Sequence, residues 1–386
     1  MTTPYPIQGP QQISPSPLEA SRVLGRFSVP IAPAQVAAFS DGRVVVVYEG
    51  LSSEAVCARI ISPDGSLSPE IAVEHGVSAA SVAVLPNDDF VVAYRWSFGG
   101  RWVAVGTILA QLYNPDGSPN TLFNIAKGSD DWLWTSVWGP CVASMRGDRT
   151  FVVLWSRGHL RVFRPSQSRL AYSIIDPVKP QPSVQVVFPQ SPISQNWKFN
   201  ACPQIDWLNG IFFIVSETDD GHIFETVRSY TGSMEWEQRD KRGNHPTGAF
   251  LRWHGDTRTV VAFTHPLLLG VKRIDYVVQG AGVLFGTYTG HAGLGSRPAL
   301  AALAEGRFVI AWEAPNFGGI RARLFNPDGS PETNEFELSA VGAAPSIVAT
   351  PNGGFYAVWM DYPGPVSPSA DPSVHWVIKG QPWGFA

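Results

Sequence analysis

Six polar side chains along this chain carry the chemistry of charge stabilisation or proton transfer and stand at, or just outside, the ends of strand-like runs. Arg95, Lys198, His245 and His265 can donate to an oxygen that gains charge, or act as general acids. Glu217 and Glu313 can take a proton or hold a donor in place. A second group is aromatic: Trp96, Trp102, Trp132, Trp134, Trp138, Trp197 and Phe199. Three of these tryptophans crowd the stretch "SDDWLWTSVWGPC", residues 129–141, which has neither a helical nor a strand rhythm. An exposed loop does not normally carry so much apolar area. The expectation is an aromatic wall over one pocket, holding a small apolar molecule of polyketide or terpenoid character; the competing reading is that the indoles pack among the loops themselves.

Several chemistries have no support in the sequence. No GxSxG elbow, Gly-rich phosphate loop or GxGxxG stretch occurs, so no nucleotide, dinucleotide or other cofactor is expected. His159, His222, His245, His265 and His291 form no HxH or HxxxH pair, and the recurring PDG turns lack the carboxylate series of a calcium loop, so no metal is expected. Asp130, Asp131, Glu217, Asp219 and Asp220 could include a glycosidase pair, but that assignment needs a separation that only a structure supplies.

Bulk properties agree with a loop-built site on a β scaffold. The 386 residues hold 37 Gly and 33 Pro with 16% charged side chains, a composition of short strands and tight turns. A net charge of -4 without a basic stripe argues against nucleic-acid or acidic-membrane partners. No run of apolar residues is long enough for a membrane span, and "MTTPYPIQGPQQISPSP" has no signal-peptide core. A soluble chain is expected; compartment and oligomeric state stay open. Cys57, Cys141 and Cys202 show no CxxC spacing, so buried thiols are expected rather than a disulfide framework.

The elements that must position these residues repeat. "GRVVVVYEG", "DDFVVAYRW", "RTFVVLWSR", "GIFFIVSET", "RTVVAFTHP", "GRFVIAWEA" and "GGFYAVWMD" are copies of one strand, recurring at roughly fifty residues. Their last large positions are Tyr48, Tyr94, Trp155, Ser216, Phe263, Trp312 and Trp359, where the tryptophans read as structural. Each copy follows a shorter apolar strand and precedes a third; "SPDGS" and "NPDGS" turns lead to a fourth. The predicted fold is all-β: a single seven-bladed β-propeller of four-stranded antiparallel blades. The blades are placed at about 33–76, 77–128, 129–182, 183–243, 244–292, 293–340 and 341–386. Residues 1–18 are a flexible leader and 19–32 the strand that closes the ring on the last blade.

The "ARLFNPDGSP" stretch resembles propeller repeats of bacterial and fungal secreted or lectin-like proteins. In size, seven-fold repetition, aromatic asymmetry and lack of cofactor motifs, the chain is also similar to fungal hetero-Diels-Alderases that join a tropolone quinone methide to a humulene-type sesquiterpene. That resemblance implies a cofactor-independent cyclase in which a diene made by loss of water is trapped by an apolar alkene. Two other functions compete: a carbohydrate-binding lectin, which would repeat its site from blade to blade, and a scaffold that binds proteins by its rim.

Overall fold

The computed structural model describes residues 3–14, 18–19, 34–49, 56–74, 77–98, 105–127, 135–145, 149–159, 168–187, 204–208, 211–217, 222–229, 234–253, 256–280, 288–361 and 375–385. In chain order the strands are β1 (Pro4–Pro6), β2 (Gln11–Gln12) and β3 (Leu18–Glu19), then seven sets. The first set is β4 (Gln35–Ala38), β5 (Val44–Glu49), β6 (Val56–Ile61) and β7 (Ile71–Glu74), and the second β8 (Val77–Val84), β9 (Phe90–Phe98), β10 (Val105–Tyr113) and β11 (Pro119–Lys127). The third is β12 (Thr135–Ser144), β13 (Phe151–His159), β14 (Ser168–Asp176) and β15 (Lys179–Val187); the fourth β16 (Gln204–Leu208), β17 (Ile211–Glu217), β18 (His222–Ser229) and β19 (Met234–Arg242). The fifth is β20 (Asn244–Trp253), β21 (Asp256–Pro266), β22 (Lys272–Gly280) and β23 (Tyr288–Leu294), and the sixth β24 (Ser296–Ala302), β25 (Phe308–Glu313), β26 (Ile320–Phe325) and β27 (Phe336–Ser339). The last is β28 (Ala343–Ala349), β29 (Phe355–Asp361) and β30 (His375–Phe385).

Each set forms one sheet in consecutive strand order, and β1, β2 and β3 complete the last sheet along the outer side of β30. The chain divides into two compact units, Met1–Ser53 with Cys57–Glu70 and Ala249–Ala386, and Glu54–Val56 with Ile71–Gly248. Within the second unit, Val91, Val153 and Trp155 join the second and third sheets, and Leu154, Tyr172 and Phe212 join the third and fourth. Within the first, Tyr276, Phe308 and Trp312 join the fifth and sixth sheets, and Leu324, Trp359 and Trp383 the sixth and seventh. The second strand of a sheet is therefore covered on both faces, which explains why its sequence is a continuous apolar run rather than an alternating one. All seven aligned positions, Tyr48 through Trp359, are buried. Consecutive four-stranded antiparallel sheets stacked in this way place the fold in the all-β propeller class.

The PDG turns share one geometry. Gly65, Gly117 and Gly329 have φ of 85°, 87° and 88°, and the carboxylates of Asp64, Asp116 and Asp328 accept from the backbone N–H of Ser66, Ser118 and Ser330 at 2.8–2.9 Å. A left-handed residue at the turn's end relieves the twist between two strands, and glycine takes that conformation without a Cβ penalty.

The N-terminal segment differs from the expectation. Residues 4–14 are a working part of the last sheet rather than a flexible leader: Pro4 pairs with Phe385, Gln11 with Gly380, and Ile13 is fully buried. The Ile13 N–H donates to the Ile378 carbonyl at 2.7 Å, and the Ile378 N–H to Ser14 Oγ at 3.1 Å. Prolines are accepted here because the segment lies on a sheet edge, where a missing N–H interrupts no ladder. Of the expected closing strand 19–32, Glu19 pairs with His375 and the remainder lies outside the described residues.

Candidate functional site

A local irregularity recurs in the first strands of four sheets. Gly139, His245, Arg297 and Ala344 have φ of 53°, 53°, 51° and 49°, and each immediately precedes a proline, Pro140, Pro246, Pro298 and Pro345. The pairing register shifts at this point between Trp138 and Cys141, Ser296 and Ala299, and Ala343 and Ser346. These are β-bulges, which re-aim a side chain at a strand's end. A non-glycine residue in the left-handed region is held there by its surroundings. The His245 N–H donates to Glu217 Oε2 at 3.3 Å, and the Arg297 N–H donates to Thr264 Oγ1 at 3.1 Å. Glu217 and Thr264 occupy the same repeat position, the one after the aligned large residue, so this position ties a sheet to the bulge of the next. The signal in the sequence is Gly-x-x-Pro at Gly243–Pro246, Gly295–Pro298 and Gly342–Pro345. Gly295 cannot be replaced cheaply, since a Cβ there would lie 2.3 Å from the Glu313 carbonyl oxygen.

A dense polar group of the first unit is built on the fifth sheet. Arg273 and Asp275, two apart on β22, share a face; His265 on β21 is the cross-strand partner of Arg273, and His291 on β23 that of Asp275. Four side chains with hydrogen-bonding chemistry therefore converge by strand register alone. Asp275 is 6% exposed. Its carboxylate accepts from Arg273 Nε at 2.6 Å and Nη2 at 2.9 Å, lies 2.8 Å from His291 Nδ1, and is 3.8 Å from His265 Nδ1. This forked ion pair holds the guanidinium of Arg273 above its usual pKa. Arg273 and the two imidazoles are partly exposed, so the buried carboxylate acts as an anchor under three surface groups.

The opposite face of the same sheet carries Thr264 with its bond to Arg297, whose Nη1 lies 3.4 Å from Glu313 Oε2. Of the residues expected from sequence, His265 thus joins the Asp275 group, Glu313 pairs with Arg297, and Glu217 meets the backbone of His245. In the second unit Arg95 is buried on β9, opposite Ser78 and Ile108, and burial pulls its guanidinium down to about 10, still cationic at neutral pH. Trp96 beside it is half-buried, between Val77 and Thr107 in the ladder. Trp138, expected in a loop, lies instead within β12, because residues from Thr135 onward pair with β13, and its backbone faces Ser156. Trp102, Trp132, Trp134, Trp197, Lys198 and Phe199 lie outside the described residues.

Asp275 was missed in the sequence because it interrupts an apolar strand, "RIDYVVQ", without a motif around it. Its repeat position, across from the aligned large residue, is apolar in the second to fourth sheets and charged in the fifth to seventh. It reads Leu109, Ala171 and Phe224 in the former and Asp275, Arg321 and Lys379 in the latter. Arg321 pairs with Glu337 at 3.0 Å, and Lys379 with the buried Asp361.

No protein-family model and no curated protein matches the chain. Solved structures share its fold. The hydrazine synthase of Kuenenia stuttgartiensis aligns with a TM-score of 0.55 at 9% identity, over 87% of this chain and 95% of that one. The GH93 α-L-arabinofuranosidase of Fusarium graminearum, solved with arabinobiose, aligns with a TM-score of 0.53 at 13% identity, over 90% and 92%. The α-L-arabinanase of Penicillium chrysogenum, also with arabinobiose, gives 0.51 at 12% identity over 98% of both chains.

Proposed function

We propose that this chain is a carbohydrate-binding propeller whose site includes the Asp275 group. The observation that carries the reading is the anchoring of Arg273 and His291 by one buried carboxylate, with His265 beside it. A hydroxyl-rich ligand needs donors and acceptors fixed before it arrives, because ordering them on binding would cost affinity. A purely hydrocarbon ligand would leave such groups without partners. Among propellers of similar fold, the arabinofuranosidase and the arabinanase were solved with a disaccharide, which favours the same class of ligand for this chain. Calorimetry with neutral pento- and hexo-oligosaccharides tests it: millimolar or tighter binding is expected, weakened about 10-fold in Asp275→Asn through loss of a charged hydrogen bond. Absence of binding across these oligosaccharides overturns the reading.

A second reading rests on the buried Arg95 beside Trp96 and on the tryptophans of residues 129–141. It is a cofactor-independent cyclase, of hetero-Diels-Alder type, with the aromatic residues as its wall. Arg95, Lys198, His245 and His265 would be donors and Glu217 or Glu313 the orienting carboxylate. It requires one apolar molecule bound per chain, lost on Trp132→Ala with Trp134→Ala while the melting temperature stays put.

A further inference from the structure

The segment "HPLLLGVKR", His265 to Arg273, turns between β21 and β22 and leaves Leu267, Leu268 and Val271 exposed. Leu267 is 36% exposed, Leu268 89% and Val271 43%. Leu294, the cross-strand partner of Arg273 on β23, adds a fourth exposed apolar group at 52%. The loop is closed by its own backbone: the Leu267 N–H donates to the Val271 carbonyl at 2.8 Å and the Val271 N–H to the Leu268 carbonyl at 3.4 Å, with Gly270 at φ 77°. The presentation is thus built into the turn. Exposed apolar side chains gathered on one tip mark a contact surface, whereas scattered ones carry no such meaning.

We infer that this loop inserts into the interface of an anionic lipid surface. Its shape and its charge select that occupant. Leu268 projects as a convex tip, which a deformable lipid interface accommodates directly, while a protein partner would need a matching cavity. Lys272 is exposed at the base of the tip and Arg273 is partly exposed. His265 and His291 flank them, and the carboxylate at the base, Asp275, is buried and engaged. Leucines that reach the acyl boundary with cations left at headgroup level are the arrangement of an interfacial anchor. The chain's net charge of -4 does not reveal it, because the device is local.

Co-sedimentation of the intact chain with vesicles of phosphatidylcholine alone, and of phosphatidylcholine mixed with phosphatidylserine, tests the inference. Binding to the mixed vesicles is expected, falling at least ~10-fold in Leu267→Ser/Leu268→Ser, and Lys272→Glu should abolish the preference for phosphatidylserine. Circular dichroism melts establish that the variants fold. As a measurement that does not depend on the double variant, a Leu268→Cys chain labelled with an environment-sensitive dye should shift to the blue on mixing with the same vesicles. Three outcomes overturn the inference: no sedimentation at millimolar lipid, equal binding by the leucine variants, or a concentration-dependent dimer that those variants dissolve. None of these outcomes bears on saccharide binding, which the Asp275→Asn titration reads separately.

Discussion

At the scale of single residues, Asp275 is where the fold takes on an electrostatic cost, since a carboxylate taken out of water needs charged or polar partners. It has them in Arg273 and His291, both of which keep contact with water. Replacing Asp275 by Ala removes the anchor without stranding a fully buried cation. The expected loss of stability is therefore about 1–3 kcal/mol, as for a charged hydrogen bond, and not the larger penalty of an orphaned interior charge. Urea unfolding midpoints of the two chains measure it; a loss above that range would mean that Arg273 is far less hydrated than its exposure indicates. The same residue shows why the site was only partly legible. Repetition pointed to the positions after the aligned large residues, and two of these, Glu217 and Thr264, accept from the backbone of a left-handed residue in the next sheet. The charged residue that organises the Arg273–His291 group lies on a third strand, where a lone Asp in an apolar run carries no spacing signal.

At the scale of elements, the strand repeat was legible because each second strand is covered on both faces and so must be apolar throughout. The N-terminal edge segment was not, because "PYPIQGPQQIS" has neither alternation nor a hydrophobic run and contains three prolines. It holds through a few specific contacts. Gln11 Nε2 donates to the Gly65 carbonyl at 2.6 Å and Gln8 Nε2 to that of Pro63 at 3.3 Å, tying the segment to the first PDG turn, while Ile13 fills the sheet beneath. Truncation of Ile13 to Ala should cost about 2–4 kcal/mol, a core-sized penalty from a position thirteen residues into the chain. Ile7→Ala, at a largely exposed position of the same segment, should fall within ~0.5 kcal/mol of the parent. Thermal unfolding of both variants checks the contrast, and equal effects would remove the structural role assigned to residues 4–14.

At the scale of the whole molecule, stability should respond to pH at both ends for separate reasons. On the acid side, Asp64, Asp116 and Asp328 have carboxyl groups held below the usual 3.8 by hydrogen bonds within their turns, from the Ser66 backbone for the first and chiefly from the hydroxyls of Ser118 and Ser330 for the others. A carboxyl whose pKa is lower folded than unfolded favours folding above the unfolded value, and that contribution disappears as pH falls through the folded one. On the alkaline side, burial pushes the Cys57 thiol from 9.0 up to about 12 and the Tyr94 hydroxyl from 10.0 up to about 12. Both favour folding in their neutral forms, so their contribution is complete below the unfolded values and declines as pH rises toward 12. Unfolding midpoints measured from about pH 3 to about pH 10 should show a plateau that drops below about pH 4 and again above about pH 9. The turn carboxylates are exposed and recur in three sheets, whereas the alkaline groups are buried in the first and second, so substitution can separate the limbs. Asn at Asp64, Asp116 and Asp328 together should lower the plateau and flatten the acid limb while leaving the alkaline one in place. An acid limb of unchanged depth in that variant would rule out the PDG turns as its origin.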